Sequence, residues 1–211
     1  PETWERLTPL VHFVGPKARS DPFRHATIRN WVARVGSAVG SHPFYLDVMR
    51  LRPTHSATTS QGDVPVLAHI YAQARKRGLR FVPVVWAGES GADHCRLVAD
   101  AALQGGHGLA VRYRLRTVLP PPGTSLGQHL AAQLAAVGAE AKNADLLVDL
   151  EYIGPDDELD AEDLAESVNE MLGAGQWRSV VVLATSMPSM LSSIKEGDVG
   201  SLPRREWDLW S

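Results

Sequence analysis

Short, nearly unbroken apolar runs alternate along this chain with longer stretches in which apolar residues recur every three or four positions. The first pattern marks buried strands and the second amphipathic helices. Leu7–Val14, Phe44–Leu51, Arg80–Trp86, Gly108–Tyr113, Ala144–Tyr152 and Ser179–Ala184 read as six strands. Between them, Phe23–Val39 carries Ile28, Trp31, Val32 and Val35 on one stripe. Val64–Arg77 reads as a helix capped by Asp63, with Pro65 early and Gly78 closing it. Ala92–Gln104 is a third helix, ended by Gly105 and Gly106, and Ser125 caps a fourth that runs to about Ala141. Asp160 caps a fifth that reaches about Gly173. Arg52–Gln61 is polar and reads as a loop, Met187–Ile194 as a short helical piece, and Glu206–Trp210 as a weak seventh strand.

Strand and helix alternate in units of roughly 30 to 40 residues, as βα units do. Such repetition makes neighbouring strands parallel and their crossovers right-handed. Six units and a weak seventh strand predict an α/β fold built as a TIM-like (β/α) barrel, its closure left open. A doubly wound parallel sheet is the alternative, although no G-x-G-x-x-G follows any strand.

Side chains alternate across a strand. Tyr45, Asp47 and Met49 therefore share one face, as do Ala110, Arg112 and Arg114, and Leu147, Asp149 and Glu151. If these faces line a barrel, carboxylates and arginines meet at its C-terminal mouth, where barrels keep their sites. Asp47, Arg112, Asp149 and Glu151 are the catalytic candidates of an acid/base site. Arg114, Thr185 and Ser186 are candidate anion ligands, the two hydroxyls serving equally as caps for a following helix. The alternative is a layer of ion pairs that fills the barrel, since buried charges need partners. Arg112 is expected to pair with Asp47 or Asp149.

His12, in the middle of its strand, reads as a core histidine before a catalytic one. The eight histidines form no H-x-x-x-H or H-E-x-x-H, so no metal is expected. The adjacent Asp93, His94 and Cys95 point in different directions on a helix and read as structural.

The chain has 211 residues, 44% of them hydrophobic and 21% charged, enough for a sizeable core in a single domain over 1–211. A net charge of -3 gives no reason to expect nucleic-acid binding. The single cysteine, Cys95, excludes an internal disulfide and fits a cytoplasmic location. No apolar run reaches the ~18 residues of a membrane span. The start at Pro1 and the stop after an aromatic run predict a piece of a longer chain, whose open sheet edges would associate.

One set of strings carries a resemblance. In order they are Tyr45-Leu46-Asp47-Val48, Phe81-Val82-Pro83-Val84, Leu109-Ala110-Val111-Arg112, Leu146-Leu147-Val148-Asp149, Trp177-Arg178, Val180-Val181-Val182 and Ser186-Met187-Pro188. The last runs from Leu202-Pro203-Arg204-Arg205-Glu206-Trp207 to Leu209-Trp210. Together they resemble the beta family protein of bacteria and phages, from about Pro9 onward. The resemblance implies a phage-linked immunity or anti-toxicity role, in which a family member prevents killing of the host by a companion phage product. It implies action on a protein partner, no established enzymatic activity, and no assigned catalytic role at the matching positions Asp47, Arg112, Asp149, Arg204, Glu206 and Trp207; no cofactor is expected. The residues themselves keep a second function open, a barrel hydrolase or lyase acting on a phosphorylated or carboxylated small molecule.

Overall fold

The computed structural model describes residues 8–13, 23–48, 50–51, 55–60, 62–158, 160–186, 204 and 207. Six strands form one parallel sheet: β1 (Leu10–His12), β3 (Phe44–Asp47), β6 (Phe81–Trp86), β7 (Leu109–Arg114), β8 (Ala144–Tyr152) and β9 (Ser179–Thr185). They lie in the order β1-β3-β6-β7-β8-β9, the order of the chain. Every neighbouring pair is parallel. A doubly wound sheet reverses direction at a switch point. This one does not, so that alternative falls.

A small second sheet contains β2 (Phe23–Arg24), β4 (Ser56–Thr59) and β5 (Gly62–Pro65). Within the segment read as a polar loop, Ser56–Thr59 is thus a strand, β4, antiparallel to the following β5, with Ala57 fully buried. Asp63 does not cap a helix. Its Oδ1 accepts the Thr58 hydroxyl at 3.0 Å across the hairpin. Pro65 explains the shift, because the residue before a proline is driven out of the helical region. The helix α2 therefore starts at Val66 and runs to Lys76.

Among the described residues five α-helices cover the outer face: α1 (His25–Val39), α2, α3 (Ala92–Gly105), α4 (Leu126–Ala136) and α5 (Ala161–Leu172). Their caps follow from residue type. Ser125 Oγ accepts Gln128 N–H at 3.1 Å while Gln128 Oε1 accepts Ser125 N–H at 3.0 Å, a reciprocal box. Asp160 Oδ1 accepts Glu162 N–H at 2.7 Å. Gly138, at φ 62°, follows the end of α4, which stops short of Ala141. Under α1 and α2 lies one core of Ile28, Val32, Leu46, Leu67, Ile70 and Phe81. Under α3, α4 and α5 lies another, of Val98, Val111, Leu130, Leu146, Val148 and Met171.

The sheet is strongly curled. Tyr45 on β3 donates its hydroxyl to Asp145 on β8 at 3.2 Å. Three strand intervals separate them, about 14 Å in a flat sheet, beyond a tyrosine's reach. The concave face thus has the form of half a barrel. It holds its own apolar layer of Val82, Val84, Ala110 and Leu147, flanked by Val181 and Leu183.

Two expectations fall mostly on residues outside the described ones. Of the seventh strand over Glu206–Trp210, only Trp207 is described, and its N–H donates to Arg204 O at 3.0 Å in a turn. The helical piece over Met187–Ile194 and the side chain of Met49 lie wholly outside.

Candidate functional site

The C-terminal mouth of the half-barrel is built by strand periodicity. Asp47 ends β3, Trp86 ends β6, Arg112 and Arg114 lie two apart on β7, and Asp149 and Glu151 two apart on β8. Inward placement puts Arg112 between both carboxylates. Its Nε and Nη2 donate to Asp149 Oδ2 at 2.9 and 2.5 Å, and its Nη1 donates to Asp47 Oδ2 at 2.6 Å. The expectation of one partner or the other is met by both. Asp47 is 1% exposed and Asp149 4%, so these are charge pairs largely removed from water.

The indole N–H of Trp86 donates to the same Asp47 oxygen at 2.9 Å. The Arg112 and Arg114 guanidinium carbons lie 4.9 and 5.0 Å from the centre of that ring. His12, from β1, completes the set. Arg112 Nη1 stands 2.9 Å from His12 Nε2. A guanidinium can only donate, so Nε2 accepts. The ring proton then sits on Nδ1, 3.4 Å from Asp47 Oδ2. Burial holds His12 below the usual histidine range, and Arg112 pushes the same way against the opposing pull of Asp47. His12 therefore stands neutral beside a charged network rather than in an apolar core.

A second, more exposed tier forms the rim. Arg114 binds Glu89 through two parallel bonds, Nε to Oε1 at 2.7 Å and Nη2 to Oε2 at 2.6 Å. Its Nη1 donates to Glu151 Oε1 at 3.0 Å, and the Thr117 hydroxyl donates to Glu151 Oε2 at 2.5 Å. Glu89 raises the Arg114 pKa by hydrogen bonding. Glu151 sits at φ 59°, a left-handed conformation unusual for a non-glycine residue. Its N–H donates to Asp149 Oδ1 at 2.9 Å. Here β8 also loses register with β9, between Asp149 and Tyr152. Such a bulge re-aims a strand-end side chain, in this case towards Arg114. Arg116 extends the rim, donating to Asp157 Oδ2 at 2.7 Å.

Of the seven candidates read from the sequence, Asp47, Arg112, Asp149, Glu151 and Arg114 meet in this network. Of the other two, Thr185 ends β9 exposed and Ser186 follows it buried. The sequence reading missed Trp86, Glu89 and Thr117, and placed His12 in a core. Trp86 was legible, since it ends its strand as Asp47 ends β3. The opposite pole carries a separate cluster. Arg178 holds Asp145 with Nε to Oδ1 at 2.7 Å and Nη2 to Oδ2, and Ser179 Oγ donates to Oδ1 at 2.7 Å. It ties β8 to β9 and, through Tyr45, to β3.

Among the described residues no group of three or more His, Cys, Asp or Glu is placed to hold a metal ion. No helix among them is long and apolar enough to cross a membrane. A family model described as Beta protein matches residues 1–211, in agreement with the resemblance carried by the strand-end strings. No curated protein matches the sequence.

Proposed function

The chain belongs to the Beta protein family, and on that footing we propose that it is a phage-linked immunity or anti-toxicity protein that acts by binding another protein. One observation carries this reading. Arg112, the cation at the centre of the mouth, spends four of its five N–H donors on Asp149, Asp47 and His12. An anionic substrate would have to displace two buried carboxylates to reach it. A mouth filled by mutual pairs is a rigid platform more than a reaction vessel. The half-exposed rim of Glu89, Arg114, Arg116 and Asp157 then offers the partner its charged contacts. The proposal includes a single barrel-like domain over 1–211 and a cytoplasmic setting.

Host cells expressing the chain, challenged with phage, test it. Wild type should protect and should capture one phage-encoded protein. Arg114→Glu with Arg116→Glu should lose protection and capture together while the circular dichroism spectrum is kept. Protection that survives the double change, or an absence of protection by wild type, overturns the reading.

A second reading rests on Glu151. Backbone strain at a strand end beside paired carboxylates is characteristic of reactive sites. It favours a hydrolase or lyase that takes a small phosphorylated or carboxylated molecule at Arg114. Turnover of such a compound, lost in Glu151→Gln, would place the chain there.

A further inference from the structure

Away from the mouth, two histidines 44 residues apart face each other. His25 opens α1 and His69 lies on α2. Their ring nitrogens Nδ1 and Nε2 stand 2.7 Å apart, with the rings tilted by 53°. Neither ring makes another hydrogen bond among the described residues. Both helices are anchored in one core, by Ile28 and Val32 on α1 and by Leu67 and Ile70 on α2, so the pair is held by packed elements rather than by loops.

The geometry points to a two-histidine site for a divalent first-row transition ion, copper or nickel before zinc, clasping α1 to α2. The separation decides the order. Two imidazole nitrogens on a tetrahedral zinc, each at its usual bond length, lie about 3.3 Å apart. Adjacent nitrogens on a square-planar copper or nickel lie about 2.9 Å apart. The observed 2.7 Å needs only a small opening for the second and a larger one for the first. Copper also stands highest in intrinsic affinity for nitrogen ligands. The contact is itself a ring-to-ring hydrogen bond, so one of the two nitrogens carries a proton that the metal would replace. With no third protein ligand in the described residues, water would occupy the remaining positions. Sequence spacing gave no hint of this pair, because metal motifs are read over a few residues and these two are brought together only by helix packing.

The test uses the full chain and Cu2+ alone. Isothermal titration should show one saturable equivalent per chain. Electron paramagnetic resonance of that equivalent should show coupling to two nitrogens, and the melting temperature should rise with added copper. His25→Ala and His69→Gln should each lose the saturable site and the thermal shift, while His107→Ala keeps both. Wild type without saturable uptake, or a spectrum with coupling to fewer than two nitrogens, overturns the proposal whether or not the variants fold. So does uptake that persists in both variants.

Discussion

Arg112→Leu is the most informative single change. The substitution keeps much of the buried stem volume and removes the guanidinium. It strands two carboxylates, Asp47 and Asp149, at 1% and 4% exposure. The Trp86 indole N–H still reaches Asp47, and the Glu151 backbone N–H still reaches Asp149. Breaking a buried pair by removing one member costs about 3–5 kcal/mol. Two stranded carboxylates place this variant at the upper end of that range, and their residual hydrogen bonds keep it from doubling. For a chain of this size each kcal/mol moves the melting temperature by about 2–4 °C. The expected loss is therefore roughly 10–20 °C. Urea denaturation should report the same free energy with an unchanged slope. Arg112→Lys keeps the charge but loses the fork, and should fall between wild type and Arg112→Leu. Combining Arg112→Leu with Asp47→Asn and Asp149→Asn removes the stranded charges and should recover part of the loss. An Arg112→Leu protein that melts with wild type would refute the reasoning. So would a triple variant no more stable than the single one.

Stability should also depend on pH. Burial holds His12, His69, His94 and His129 below their ordinary value of 6.5, so on acidification the unfolded chain takes up protons before the folded one does. Their contribution is present above about pH 6.5 and is lost as pH falls below it. The urea midpoint should be lower at pH 5 than at pH 7.5, and His94→Met, which removes the most deeply buried of the four, should narrow that gap. Gly127→Ala should destabilise, against the gain of about 0.5–1 kcal/mol usual for that change within a helix. A methyl there would lie 2.7 Å from Glu170 O, where α4 and α5 touch; a raised melting temperature would count against that contact. Asp160→Ala removes the cap of α5 and should cost about 1 kcal/mol, read as a melting temperature lower by about 2–4 °C.

The strands were legible because a parallel strand buried on both sides is a dense apolar run, as in Leu146–Leu150. Ser125 and Asp160 were legible as caps because their side-chain oxygens have a local partner a few residues on. Asp63 misled for the same reason: it looks like a cap, but Pro65 two residues later moves the helix start, and its acceptor turns to Thr58. The hairpin of β4 and β5 was hidden because only Ala57 and Val64 along it are apolar enough to signal a buried side. At the mouth, alternation alone placed Asp47, Arg112 and Asp149 on one face. It could not show that His12 reaches Arg112, since the two residues stand on strands three places apart. Nor could it show the bulge at Glu151, where the two-residue period breaks down.

The curl of the sheet has a kinetic consequence. Tyr45 with Asp145, and His12 with Arg112, each join residues 100 positions apart in the chain. A contact of that separation closes a loop of 100 residues, whereas each helix meets its own strand within a few tens. Local βα units can therefore form before the concave face exists, and the charged ties across it belong to the last steps of assembly. Interactions made after the folding barrier govern how fast the native state is left, not how fast it is reached. The Arg112 network is then a latch in time: loosening it should leave refolding rates almost unchanged and quicken unfolding.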